Sequence, residues 1–206
     1  MKKIKIMLVD DHAIVRMGLA SILGTKGDLE IVGEADDGET AVREVRRLQP
    51  DVILMDMMLS GMDGAAATAE IHRLRPESKV LILTTYGTSD GIAHALDAGA
   101  SGALLKTVEY PELVEAIRTV AAGGRVIAPE IVRQLRSHPP VAELTDRQGE
   151  ILRLVAQGLT DADIAKKVGL SANSVREHIT LIYNKLNASN RAEAVAIALK
   201  RHLLKV

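Results

Sequence analysis

Val52-Ile53-Leu54-Met55-Asp56 is followed by Met57-Met58-Leu59-Ser60-Gly61-Met62-Asp63-Gly64 and then by a helical run from Ala65 to Leu74. Four consecutive apolar residues without alternation are what a strand buried on both faces requires. The pattern recurs on either side of this stretch. Ile4-Lys5-Ile6-Met7-Leu8-Val9 ends in Asp10-Asp11 and precedes helical spacing from Ala13 to Leu23. Leu29 to Val32 precedes a helix from Glu39 to Leu48 that Pro50 closes. Val80-Leu81-Ile82-Leu83 precedes a helix around Ile92 to Ala98, and Ala103-Leu104-Leu105 precedes another from Glu112 to Ala121. Five such alternations predict an α/β domain over residues 1–122, a doubly wound five-stranded parallel sheet with helices on both faces.

The pattern changes after Gly123-Gly124. Residues 123–143 read as a linker holding a short amphipathic helix from Pro129 to Arg136, then Ser137-His138-Pro139-Pro140, whose prolines disfavour helix before them. From Leu144 onward there is no strand candidate. Four helical stretches, 146–157, 161–168, 172–186 and 190–203, predict a small all-α domain over residues 144–206.

Composition narrows the function. The 206 residues include no Cys, Phe or Trp and three Tyr, which excludes disulfide scaffolds, thiol catalysis and Cys-based zinc sites and argues against aromatic base-stacking. The apolar runs fall far short of the roughly 20 residues needed to cross a bilayer. Lys2, Lys3 and Lys5 precede too short an apolar stretch for a signal peptide, so a soluble cytoplasmic protein is expected. The net charge of −1 conceals an asymmetry: residues 1–128 carry 14 basic against 19 acidic side chains, and residues 129–206 carry 12 against 8. An acidic half joined to a basic half suggests a cation for the first and a polyanion for the second.

Ligands of an open parallel sheet sit beyond the carboxyl ends of its strands. There the sequence places Asp10-Asp11, Asp56, Thr84-Thr85 and Lys106. Clustered carboxylates repel and need a cation, and oxygen-only ligands favour a hard ion such as Mg²⁺. A carboxylate beside that ion, with a lysine opposite, is suited to attack phosphorus while its neighbours neutralise the equatorial oxygens. Singly, each residue has a plainer reading as a helix cap or a solvated strand end.

Together Asp10-Asp11, the run from Asp56 to Gly64, Leu83-Thr84 and Leu105-Lys106 resemble the flavodoxin-like receiver domain of bacterial two-component response regulators, over residues 1 to about 122. The resemblance implies that Asp56 accepts phosphate from a sensor histidine kinase. It implies that Asp10, Asp11, Asp56 and the main-chain carbonyl of Met58 bind Mg²⁺, that Lys106 pairs with the phosphoryl group, and that Thr84 is the switch hydroxyl. The chain departs from the family at Ser60, where proline is usual, at Ala103, where an aromatic is common, and at Thr107, where proline often follows the lysine. The rotamer coupling of that aromatic is in question, with Tyr86 nearby in sequence. His12 reads as a helix-start residue, and Met55, Met57, Met58 and Met62 as packing and loop residues.

In the helical half, Thr160 caps a helix whose Ile164, Ala165 and Val168 form one stripe, with Asp163 placed to complete the cap. Gly169 permits a sharp turn, and Ser171 caps a second helix with Val175, Ile179, Ile182 and Leu186 on its buried face. On spacing alone a four-helix protein-interaction bundle with a solvated face is the favoured reading. Leu144-Thr145, Ile164-Ala165, Leu170-Ser171, Ser174-Val175-Arg176, Lys185-Leu186 and Arg191-Ala192-Glu193-Ala194-Val195 resemble the LuxR/NarL-type helix-turn-helix, over about residues 144–200. By that resemblance Arg176, Glu177 and Thr180 face bases, Lys185 and Arg191 contact phosphates, and the helix after Ser189 serves dimerisation. His178 reads as a packed or capping residue, and Gln148-Gly149 replaces a charged pair often seen in the first helix.

The expectation is therefore a phosphorylation-activated transcription regulator, not an enzyme beyond slow self-dephosphorylation. Its partners would be a sensor histidine kinase, double-stranded promoter DNA, a second copy of itself and, at the promoter, RNA polymerase, with no membrane. Two alternatives stand beside it: a Mg²⁺-dependent phosphohydrolase, and a receiver whose helical half binds protein. Haloacid-dehalogenase-type hydrolases place their nucleophile on strand one in an Asp-x-Asp pattern, whereas the isolated candidate here follows strand three.

Overall fold

A computed structural model describes residues 3–85, 89–137, 144–200 and 203–204. Tyr86, and His138 to Glu143 of the expected linker, lie outside the described residues. The chain forms two compact units that divide between Pro139 and Pro140.

The first unit alternates β1 (Ile4–Val9), α1 (Ala13–Leu23), β2 (Leu29–Ala35), α2 (Gly38–Leu48), β3 (Val52–Asp56), α3 (Gly64–Leu74), β4 (Lys79–Thr84), α4 (Ser89–Asp97), β5 (Gly102–Leu105), α5 (Tyr110–Ala121), β6 (Val126–Ile127) and α6 (Pro129–Ser137). The strands lie in the order β2-β1-β3-β4-β5-β6, and every pair is parallel. The order reverses between β1 and β3, so their carboxyl ends flank the crevice where such sheets bind ligands. Ile6, Met7, Val52, Ile53, Met55, Leu81 and Ile82 are fully buried, as continuous apolar strands between two helical layers must be.

The sheet has six strands where five were expected. Val126 and Ile127 pair with Gly102 and Ala103, and α6 follows directly. The approach is close: a Cβ on Gly102 would lie 2.2 Å from the Val126 carbonyl oxygen, so the extra strand depends on that glycine. Two residues are too few to show periodicity, which is why the sequence pattern passes over them. β2 also runs three residues beyond the expected Val32. Its register with β1 shifts between Ile6 and Met7, a bulge that keeps Gly33 and Glu34 in the ladder despite their composition.

The second unit contains α7 (Asp146–Ala156), α8 (Asp161–Val168), α9 (Ala172–Leu186) and α10 (Arg191–Lys200). Their apolar stripes meet in one core that includes Ile151, Leu152, Ile164, Val175, Ile182, Ala194 and Ala198. Local chemistry sets the helix ends. Thr145 and Gln148 form a reciprocal capping box on α7, Thr160 caps α8, and Ser171 caps α9 through the Ser174 amide. Gly169 ends α8 in the left-handed region and turns the chain into α9. No helix among the described residues is long and apolar enough to cross a membrane.

Ile131 of α6 is fully buried in the core of the first unit. Ile131→Ala should destabilise that unit by about 3 kcal/mol. In urea denaturation followed by amide resonances of each unit, only the first-unit transition should move.

Candidate functional site

The polar ends of four neighbouring strands form a pocket in the first unit. Asp10 follows β1, Asp56 ends β3, Thr84 ends β4, and Lys106 follows β5. Asp10 and Asp56 are 3% exposed and Thr84 is fully buried. The Lys106 amide donates to the Thr84 carbonyl at 2.8 Å, and Val108 N–H closes a turn onto the Leu105 carbonyl at 3.0 Å. That turn forms with Thr107 at the position where the family often has proline.

The Lys106 ammonium bridges two carboxylates, donating to Asp10 Oδ2 at 2.5 Å and Asp56 Oδ2 at 2.9 Å. The remaining oxygens differ in their surroundings. Asp10 Oδ1 accepts the His12 amide at 2.9 Å, whereas Asp56 Oδ1 and Thr84 Oγ1 are buried and have no hydrogen-bond partner among the described residues. Two adjoining strands thus present an acceptor and a hydroxyl that folding alone does not satisfy.

Burial pushes the Asp56 carboxyl above its ordinary value; Lys106 opposes this, and the Asp10 charge and the Met58 amide add smaller effects of opposite sign. For Lys106 burial is the largest single influence and acts downward. The hydrogen bonds and charges of Asp10 and Asp56 together exceed it, so the ammonium form is favoured.

Single ligand atoms from Asp10, Asp11, His12 and Asp56 lie within 4.8 Å of one another. The three carboxylates are an all-oxygen donor set suited to a hard divalent cation. His12 is the residue before α1, as expected. Its Nδ1 nevertheless stands 2.7 Å from Asp11 Oδ1, closer to the cluster than a helix-start residue need be.

One residue beside the pocket, Arg16, carries no expectation from sequence. Arg16, one turn into α1, donates to the Asp10 main-chain carbonyl at 2.5 Å and pairs with Glu34 at 3.3 Å. Its only sequence signal is its helical spacing from His12. Ala103, where the family's aromatic would stand, is fully buried and pairs with Ile82 on one side and Ile127 on the other in the ladder. Met55 and Met57 are buried and Met58 is exposed, in keeping with packing and loop roles.

In the second unit α9 buries Val175, Ile179, Ile182 and Leu186 and exposes Arg176, Glu177 and Thr180 on its other face. Thr180 Oγ1 donates to the Arg176 carbonyl at 3.0 Å. The Arg176 guanidinium lies 3.8 Å from Asp161 Oδ2, and the other oxygen of that carboxylate lies 3.5 Å from Arg191. Arg191 also donates to the carbonyls of Val155 and Leu159, which fixes the start of α10 against the α7–α8 connection. Lys185 Nζ donates to Gln148 Oε1 at 2.9 Å, the same oxygen that accepts the Thr145 amide. His178 is half-buried, and its Nδ1 has no partner among the described residues.

Comparison with known proteins bears on both units. Residues 6–118 match the model of the response regulator receiver domain, and residues 142–198 match that of bacterial regulatory proteins of the luxR family. The transcriptional regulatory protein LiaR of Bacillus subtilis is 39% identical, the alignment covering 98% of this chain and 99% of LiaR. The response regulator protein VraR of Staphylococcus aureus is 37% identical, with the same coverage. The crystal structure of the response regulator ChrA, of a heme-sensing two-component system, superposes with a TM-score of 0.59 at 36% identity, covering 99% of this chain and all of ChrA. With a receiver pocket at the strand ends, a helix-turn-helix in the second unit and relatives aligned over both, the chain belongs to the response regulators with a luxR-type DNA-binding domain.

Proposed function

We propose that this response regulator is switched by phosphorylation of Asp56 and binds promoter DNA through α9. The observation that carries the reading is the Lys106 bridge: it holds Asp10 and Asp56 side by side and leaves Asp56 Oδ1 buried without a hydrogen-bond partner among the described residues. A nucleophile needs such an oxygen, free of competing donors and backed by a neighbouring cation.

In the proposed transfer Asp56 Oδ1 attacks the phosphorus of a phosphohistidine on a sensor kinase. The P–N bond breaks, its electron pair stays on the imidazole nitrogen, and that nitrogen takes up a proton. Lys106 opposes the charge on the phosphoryl oxygens, and Thr84 Oγ1 has a free hydroxyl to donate to one of them. Mg²⁺, held by Asp10, Asp11, Asp56 and the Met58 main-chain carbonyl, would supply further neutralisation of those oxygens. The product is an acyl phosphate that persists as a signal, so the pocket is assigned phosphoryl acceptance with at most slow self-dephosphorylation rather than turnover of an ester.

In the helical unit Arg176, Glu177 and Thr180 would face base edges in the major groove, and Lys185 would lie along a phosphate strand. Arg191, braced by two carbonyls, would contribute a positive charge in a fixed position. Two copies would bind paired half-sites about one helical turn apart, with RNA polymerase as the partner at the promoter.

Acetyl phosphate with Mg²⁺ should label the wild-type chain and leave Asp56→Asn unlabelled; label persisting in the variant overturns the assignment. In cation-free protein, a ¹³C-carboxyl titration of Asp56 should have its midpoint above the ordinary 3.8. Lys106→Met should raise it further, since the ammonium favours the charged form. Arg176→Ala should reduce discrimination between specific and random duplexes by about 1–3 kcal/mol, and Lys185→Ala should weaken both and lower the salt slope by about one. Unchanged specific and nonspecific affinities in Arg176→Ala would remove α9 from the interface.

A further inference from the structure

Residues 57–63 connect the phosphoacceptor to α3, and they contain two sources of freedom in succession, Ser60 and Gly61, the latter at φ +74°. The ends of this loop are secured locally. Met57 accepts the Gly64 amide at 3.1 Å, Leu59 is buried in the core, and Asp63 caps α3 by accepting the Ala66 amide at 2.8 Å. The middle is secured from elsewhere. The Met62 amide donates at 3.0 Å to Glu39 Oε1, a side chain from the first turn of α2. Beside it, α2 begins at Gly38, where a Cβ would lie 2.6 Å from the Met62 carbonyl oxygen. A Cβ on Gly61 would lie 3.1 Å from the same Glu39 oxygen. The start of α2 therefore rests directly on the loop, and the carboxylate lies against its Gly61–Met62 link.

We infer that Glu39 is a positioning residue for the phosphorylation site, holding the 57–63 loop so that the Met58 carbonyl and the Asp56 carboxylate are ordered before the cation arrives. The inference rests on the phosphoacceptor reading and assigns part of its metal affinity to a residue that touches neither metal nor phosphate. A flexible loop must lose its conformational freedom when one of its carbonyls becomes a ligand, and that loss weakens binding. A hydrogen bond from the loop's main chain to a side chain anchored on α2 imposes the ordering in advance. Without proline at position 60, the chain stiffens this loop through a side chain from a neighbouring helix. Glu39 is exposed, so its replacement opens no cavity in the core.

The test uses the full-length chain, with Mg²⁺ affinity measured by calorimetry and by the Mg²⁺ dependence of acetyl-phosphate labelling. Glu39→Ala should raise the half-saturating Mg²⁺ about tenfold in both, as removal of an outer-shell partner does, with the plateau labelling rate unchanged. Glu39→Gln, whose amide oxygen still accepts the Met62 N–H, should stay close to wild type. An unchanged Mg²⁺ requirement in Glu39→Ala overturns the inference, as does an equal shift in both variants, which would mark the lost charge rather than the hydrogen bond as the cause. If the wild type takes no label, or takes it equally after Asp56→Asn, the phosphoacceptor reading fails and the inference falls with it.

Discussion

One ammonium group organises the first unit. Lys106 stands 96 positions from Asp10 and 50 from Asp56, yet its Nζ donates to both at hydrogen-bond distance. Two carboxylates so deeply buried would repel each other and resist ionisation without it. Every feature of the sheet serves that convergence. The reversal of strand order sets β1 beside β3, and β4 separates β3 from β5 by one strand width and carries Thr84 between the charges. The turn after β5 then returns the lysine across that width. Among the described residues, an oxygen on Asp56 and the hydroxyl of Thr84 are left without a hydrogen-bond partner, as is an oxygen on Asp11, and that remainder is where chemistry is available.

The second unit is organised by different means. Its core is small, and much of its definition comes from polar groups at helix ends. Gln148 serves the cap of α7 and anchors Lys185 of α9 through one carbonyl oxygen. Asp161, the first residue of α8, faces Arg176 with one oxygen and Arg191 with the other. The positive side chains around α9 are thus held by the same groups that join the helices, although such half-exposed pairs add little stability individually. Arg191 shows this most fully: its guanidinium holds the fold together through Asp161 and the carbonyls of Val155 and Leu159.

The strands that sequence reading locates well are those with four uninterrupted apolar residues, because a doubly covered strand has no polar face to break the run. β2 is underestimated because Gly33 and Glu34 interrupt the run where a bulge accommodates them. β6 escapes notice because two residues carry no period and because it forms only where Gly102 lets another main chain approach. The same distinction applies to the pocket. Asp10, Asp11, Asp56, Thr84 and Lys106 each stand directly after an apolar run, and that position marks them. Arg16 and Glu39 act through main-chain groups of other elements, and a hydrogen bond to a main-chain group leaves no mark on the residue type that accepts it.

Residue order alone therefore establishes the alternation of strands and helices, the apolar faces, the caps at Thr160 and Ser171, and the polar residues at the strand ends. These are local consequences of side-chain chemistry, expressed within a few residues of where they are written. Folding in three dimensions settles what depends on distant parts of the chain meeting: which oxygen of Asp56 stays unpartnered, how Ala103 is covered, and which groups hold Arg191. It also determines that α2 supports the loop after the phosphoacceptor. Those outcomes depend on strand order and on main-chain geometry between elements, where the partner of a given atom is decided by proximity in space rather than by its neighbours in sequence.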